Sequence, residues 1–147
     1  MKKTTSLKQK DIKRNWYVVD CTDQIIGRLA TLVAKIIQGK NKPNYAPNLN
    51  NGDKVILINT SKIKWTGKKA TDKIYRKHTG YMGGLKERSL EWMLSKNPNT
   101  IMELAVYKML PKNRMRDQYI KNMVCYAGSE HKHEAQNPVN LDLKNFK

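Results

Sequence analysis

The order of apolar runs in the sequence predicts an α/β fold built on parallel strands, and two observations carry that expectation. An aromatic and β-branched run at 15–20, NWYVVD, precedes a helical run, which precedes a continuous apolar run at 54–59, KVILIN. Such a run, with no polar alternation, is typical of a strand covered on both faces in a parallel sheet. Strand, helix and strand in that order imply a right-handed βαβ crossover. The length of 147 residues suits one domain.

Each element has a local cause. Ile25, Leu29, Leu32, Val33, Ile36 and Ile37 recur at three- and four-residue steps, so the first helix turns this face inward. Thr22 and Asp23 are N-capping residue types ahead of it, and Gly39 is a C-terminal stop. Pro43, Pro47 and Asn51-Gly52 punctuate the loop to the second strand. Ile63 and Trp65 alternate with lysines over 62–66, which predicts a short strand ending at Gly67. The stretch 68–84 loses helical period and ends in Gly83-Gly84, an extended arm or loop. Ser89 then caps a helix through Leu90, Met93 and Leu94 to Asn97. Pro98 opens a second helix, with Ile101, Leu104, Ala105 and Met109 on one face, until Pro111 ends it. A short helix around Tyr119 and Ile120 leads to a last strand at 123–126, and the polar stretch after Gly128, with Pro138, reads as a tail. The expected organisation is a basic extension over 1–14, one α/β domain over 15–128 with a basic arm at 67–88, and a polar tail over 129–147.

Charge narrows the function. Against 12 Asp and Glu stand 29 Lys and Arg, a net charge of +17. Residues 1–14, 60–90 and 106–121 carry +5, +7 and +4 of it, so the segments of the core nearly cancel. A solvated surface needs no such segregation, whereas a surface laid against phosphates does. Nucleic acid is therefore the expected partner. Apolar runs of about five residues or shorter fall far below a membrane-spanning helix. The N-terminus MKKTTSLKQKDIKR lacks the apolar stretch of a secretion signal, and with one arginine it is unlike a transit peptide, so a cytoplasmic protein is expected. Cys21 and Cys125 have no neighbouring cysteine and read as reduced core thiols.

Catalytic and metal chemistry find little footing. Thr66-Gly67-Lys68-Lys69 resembles the end of a phosphate loop, but Lys62 stands where the first glycine is needed and Lys69 where Ser or Thr should follow. Gly80, Gly83 and Gly84 do not make a dinucleotide fingerprint. His131, His133 and Glu134 are an incomplete ligand set in an extended segment, and the histidines read better as contacts to phosphate or base. No carboxylate pair or nucleophile with a histidine partner can be placed, so no enzyme activity, cofactor or small-molecule substrate is expected.

The positive signal is the interleaving of Lys73, Tyr75, Arg76, Lys77, His78 and Tyr81, because cations neutralise phosphates while tyrosines stack on unpaired bases of irregular RNA. The basic connector adds Lys112, Arg114, Arg116 and Lys121. Beyond these patterns, NWYVVD, GRLA and GDKVILIN within 15–59, TGKKATDKIYRKHTGYMGGLKE at 66–87, ELAVYKMLPKN at 103–113 and YAGSEHKHEAQNP at 126–138 closely resemble the bacterial ribosomal protein L13 family, in order, over about 14–142. The resemblance implies a three-layer α/β/α fold with a mainly parallel four-stranded sheet, and a structural protein of the large subunit that binds 23S ribosomal RNA early in assembly beside neighbouring ribosomal proteins. It places RNA contacts on Gly27, Arg28, Lys40, Lys42, the arm from Lys68 and Lys69 through His78 and Thr79 to Lys86, Lys112, Arg114, and His131, Lys132 and His133. The chain departs from the family pattern after MLPK, where Met115-Arg116-Asp117 replaces a Leu-Gly-Arg run, and the basic contact there shifts to Arg114 or Arg116. An RNA-binding regulator acting on messenger RNA off the ribosome is the competing reading.

Overall fold

The computed structural model describes residues 7–141; residues 1–6 of the expected basic extension and 142–147 of the expected tail lie outside the described residues. In chain order the elements are β1 (Trp16–Asp20), α1 (Ile26–Gln38), β2 (Lys54–Ile58), α2 (Lys69–Asp72), β3 (Ile74–His78), β4 (Leu85–Ser89), α3 (Leu90–Lys96), α4 (Pro98–Met109), α5 (Arg116–Ile120), β5 (Met123–Cys125) and β6 (Val139–Asn140). Four strands form a parallel sheet in the order β5-β2-β1-β6, flanked by helices, and β3 and β4 form a separate antiparallel hairpin. The α/β fold with a four-stranded parallel sheet is thus present.

Alternation along the strands divides the sheet's two faces. Val19, Val55 and Leu57 join Leu29, Val33, Ile36 and Ile37 of α1, Met102 and Val106 of α4 and Tyr119 of α5 in one buried cluster. On the other face Val18 and Ile56 are buried, and Trp16 receives the ring of His133 from the C-terminal segment. The buried stripe of α1 differs from the apolar pattern at one position: Leu32 is only half-buried, while Ala30 and Ala34 are inside. Alanine is too small to mark a face in a periodicity count, yet it lets a neighbouring helix approach. Likewise Met109, expected on the inner face of α4, is exposed, and Met102 and Val106 are buried.

Glycine closes the turn from α1 to β2. Gly39 has a left-handed φ of 79°, and its N–H bonds to the carbonyl of Ile36. A Cβ at Gly52 would stand 1.8 Å from the Ile37 carbonyl oxygen, so the chain can double back beneath the helix only with hydrogen at that position.

Four local expectations are corrected. Thr22 and Asp23 do not cap α1: Ile25 precedes the helix with no side-chain cap. That segment is instead held by Lys64, through Ile26 N–H to the Lys64 carbonyl at 3.0 Å and Lys64 N–H to the Gln24 carbonyl at 2.9 Å. The expected strand at 62–66 is this single bridge, after a 3-10 turn at Thr60–Lys62. The segment expected as an extended arm or loop has regular structure, α2 followed by the β3–β4 hairpin. Finally, the polar stretch after Gly128 folds back and supplies β6, with Leu141 N–H bonding to the Val18 carbonyl at 2.9 Å. Ser89 does cap α3, its Oγ accepting the Trp92 N–H at 3.3 Å, and Pro98 does open α4.

Candidate nucleic-acid interface

The hairpin concentrates the charged arm onto a defined surface. Its register pairs Ile74 with Ser89, Tyr75 with Arg88, Arg76 with Glu87, Lys77 with Lys86 and His78 with Leu85. Directly opposed residues share a face, so Tyr75, Arg88, Lys77 and Lys86 lie on one side, and Ile74, Arg76, Glu87, His78 and Leu85 on the other. The second face is internally neutralised, since Arg76 Nε donates to Glu87 Oε1 at 2.5 Å. That bond and the Glu87 charge hold the Arg76 guanidinium above its ordinary pKa. The first face has three cations and no acid.

Packing anchors the cationic face at its base and releases it at its tip. Tyr75 is half-buried against the small cluster of Leu90, Met93 and Ile101, and burial pushes its phenol pKa up. Lys73 Nζ and Lys108 Nζ stand 5.3 and 5.6 Å from its ring centroid, and the Arg88 guanidinium lies 4.7 Å from the Trp92 ring. At the far end Thr79 N–H bonds to the Gly84 carbonyl at 3.0 Å, Gly80 and Gly83 take positive φ, and Tyr81 and Met82 project with 80% and 103% exposure. The hairpin is therefore a projection with an apolar tip and one polycationic flank.

Other expected contact residues divide into exposed and engaged ones. Gly27 and Arg28 lie exposed in the first turn of α1, and Lys40 is exposed just past its end. Lys68 and Lys69 open α2, exposed, with Lys69 Nζ 3.2 Å from Thr66 Oγ1. Lys112, Arg114, Lys121 and Lys132 are exposed, and His131 is half-buried, its Nδ1 accepting the His133 N–H at 3.3 Å. Lys42 points inward: its Nζ is 2.6 Å from Asp53 Oδ1 and donates to the carbonyls of Lys13 at 2.9 Å and Asn51 at 3.0 Å. All three ammonium hydrogens are thereby used. Arg116 is stacked 3.7 Å from the centroid of the Tyr107 ring, and Nε and Nη2 both donate to the Tyr107 carbonyl. His133 packs 5.2 Å from the Trp16 centroid and 6.0 Å from that of Tyr126, with a buried Nε2. The structure thus gathers Lys77 and Lys86 on one flank, leaves Arg76 and His78 on the opposite face, and turns Lys42, Arg116 and His133 toward the protein. Arg88, Lys108 and Trp92 join the surface although no sequence pattern marks them, because only the strand register and the placement of α4 bring them there.

Several other polar groups are held within the fold, whereas the buried Gln38 Oε1, Asp53 Oδ2 and His133 Nε2 have no hydrogen-bond partner among the described residues. Asp20 Oδ1 accepts from Thr22 N–H at 2.9 Å, Thr22 Oγ1 at 2.7 Å and Asn59 Nδ2 at 3.0 Å. Burial pushes the Cys21 thiol up to about 12, with the Asp20 charge adding to it, and burial raises Cys125 as well. Both are free thiols poorly disposed to form thiolates. Among the described residues no three His, Cys, Asp or Glu side chains group as metal ligands, and no helix is long and apolar enough to cross a membrane.

A single parallel sheet with helices against it and a cationic hairpin projecting from it defines a basic α/β protein whose distinctive chemistry lies in charge display. The family described as Ribosomal protein L13 matches residues 14–132, and the chain belongs to that family. Among similar proteins is the large ribosomal subunit protein uL13 of Lactobacillus delbrueckii subsp. bulgaricus, 53% identical over 99% of both chains. The protein of the same name from Persephonella marina is 51% identical over 95% of this chain and 93% of its own. That from Mycoplasmopsis synoviae is 45% identical over 98% of this chain and all of its own. Membership of this family makes the chain a structural ribosomal protein, not an enzyme.

Proposed function

We propose that the chain is a constituent of the large ribosomal subunit in the cytoplasm, where it binds 23S ribosomal RNA, joins early in assembly and packs beside neighbouring large-subunit proteins. The name carried by its relatives supports the large-subunit assignment. The observation that carries RNA binding is the acid-free flank of the hairpin, where Lys77, Lys86 and Arg88 stand together. Lys73 and Lys108, beside the Tyr75 ring, extend that flank at its base, and the exposed Lys68 and Lys69 add charge at the start of α2. Bringing cations together costs free energy in the free protein, which is offset when they neutralise phosphates and release the counterions condensed on the RNA.

Sedimentation of lysate tests the assignment. Tagged wild-type protein should follow the large-subunit peak stoichiometrically and be present in precursor particles, whereas the Lys68→Glu, Lys77→Glu, Lys86→Glu triple variant should remain at the top of the gradient while still folded. Wild-type protein found chiefly off the subunit, bound to messenger RNA, would refute the assignment and favour a regulator.

A further inference from the structure

We infer that Trp92 and Arg88 form a docking site for a single unpaired RNA nucleotide, set beside the phosphate-binding flank of the hairpin; the inference rests on the RNA-binding reading above. A cavity of about 480 Å³ opens between β4 and the first turn of α3, lined by Lys86, Glu87, Arg88, Ser89 and Trp92. Its volume lies within the ordinary range for small-ligand sites. Trp92 is 43% exposed, whereas Leu90, Met93 and Ile101 beside it are buried. Arg88 holds its guanidinium 4.7 Å from the indole centroid, with the cation at the same site as the aromatic face.

The indole, half in water with Arg88 over its ring and with Lys86 and Glu87 also lining the recess, is an aromatic surface left partly open beside two cations. It is complementary to one occupant, a base that stacks on the ring while its phosphate meets Lys86 or Arg88. A duplex keeps its bases stacked on each other and cannot deliver one to a recess, so the site selects bulged, looped or single-stranded RNA. The α3 N-cap ties the Trp92 backbone to the end of the hairpin, since Ser89 Oγ, from the last residue of β4, accepts the Trp92 backbone N–H. Phosphate capture by Lys77 and Lys86 and base capture by Trp92 are thus coupled through one short stretch of chain.

The test uses the full chain with a fluorescein-labelled single-stranded RNA and a blunt RNA duplex of equal length, at one ionic strength. Wild-type protein should prefer the single strand, and Trp92→Ala should reduce that preference by roughly tenfold while leaving duplex affinity within about twofold, as stacking on one aromatic ring predicts. Trp92→Phe should retain part of the preference, and part of the wild-type tryptophan quenching by single strand should vanish in it. Melting temperatures should match, since the indole is outside the core; if Trp92→Ala melts early, the comparison is made on Trp92→Phe against Trp92→Leu. An unchanged single-strand to duplex ratio and unchanged quenching overturn the inference, leaving the recess without a nucleotide. Failure of wild-type protein to bind either RNA would instead overturn the RNA-binding reading itself.

Discussion

Lys77 and Lys86 stand directly opposite each other across the β3–β4 hairpin, with Tyr75 and Arg88 as the next pair on the same face. Like charges in that position destabilise a hairpin, and an opposite-charge pair there would contribute. Glu87 is one residue away but belongs to the other face, where it neutralises Arg76. The like-charged pair is therefore expected to oppose stability and favour binding. Lys86→Glu should raise the melting temperature of the free protein slightly, by the equivalent of at most about 1 kcal/mol. The same variant should weaken ribosomal RNA binding and lower the salt slope by about 0.7–0.9 for each phosphate that it no longer neutralises. Calorimetry paired with a salt titration checks both signs, and a variant that is less stable yet binds as wild type would contradict the division.

Lys42 predicts the reverse pattern. Its side chain is 16% exposed and its partner Asp53 1%, and Asn15 N–H also donates to Asp53 Oδ1 at 2.9 Å. Lys42→Ala leaves a buried carboxylate without its counter-charge, a loss of about 3–5 kcal/mol. Urea denaturation should show that loss, and the fraction still folded should bind RNA with wild-type affinity. A strong binding defect at full stability would place Lys42 in the interface after all.

Much of this architecture is legible from residue types because the signals are strong and local. The uninterrupted Val55, Ile56 and Leu57, flanked by turn residues, read as a covered strand, and Ser89 and Pro98 mark helix starts that the structure keeps. What escapes has a common cause, since it depends on partners distant in sequence. The two residues of β6 have no periodicity of their own and become a strand only because β1 offers Tyr17 and Val18 as partners. Ile74–His78 and Leu85–Ser89 are too polar for a core strand, so the hairpin is visible only once the Thr79 to Gly84 turn closes it. Residue type also cannot separate a displayed lysine from an internally engaged one: Lys42 and Lys40 are two positions apart, and what distinguishes them is that Lys42 meets the buried Asp53 and the carbonyls of Lys13 and Asn51.

Core substitutions follow the same distinction between pattern and packing. Ile56 is fully buried, so Ile56→Ala should cost about 2–5 kcal/mol. Leu32 shares the apolar period of α1 but is half-buried and outside the main cluster. Leu32→Ala should therefore cost well under half as much. Equal losses in chemical denaturation would mean that Leu32 packs more deeply than its exposure indicates.

Asp20 gives the fold a dependence on acid. Burial tends to raise its carboxyl pKa, but the bonds from Thr22, the bond from Asn59 and the Lys62 charge together hold it below the ordinary carboxylate value. A group whose folded pKa is depressed stabilises the fold above its unfolded pKa, and loses that contribution as pH falls through the folded value. The carboxylate also ties the end of β1 to Asn59 just past β2, so its loss should loosen the C-terminal end of the central strand pair. At neutral pH, Asp20→Asn should melt below wild type, because the amide cannot accept all three bonds as a charged oxygen does. As pH is lowered past the ordinary carboxylate range and then through the depressed folded pKa, wild type should lose its advantage and the two melting curves converge. A gap that stays constant from neutral to strongly acidic pH would show that side-chain shape, not charge, is what Asp20 contributes.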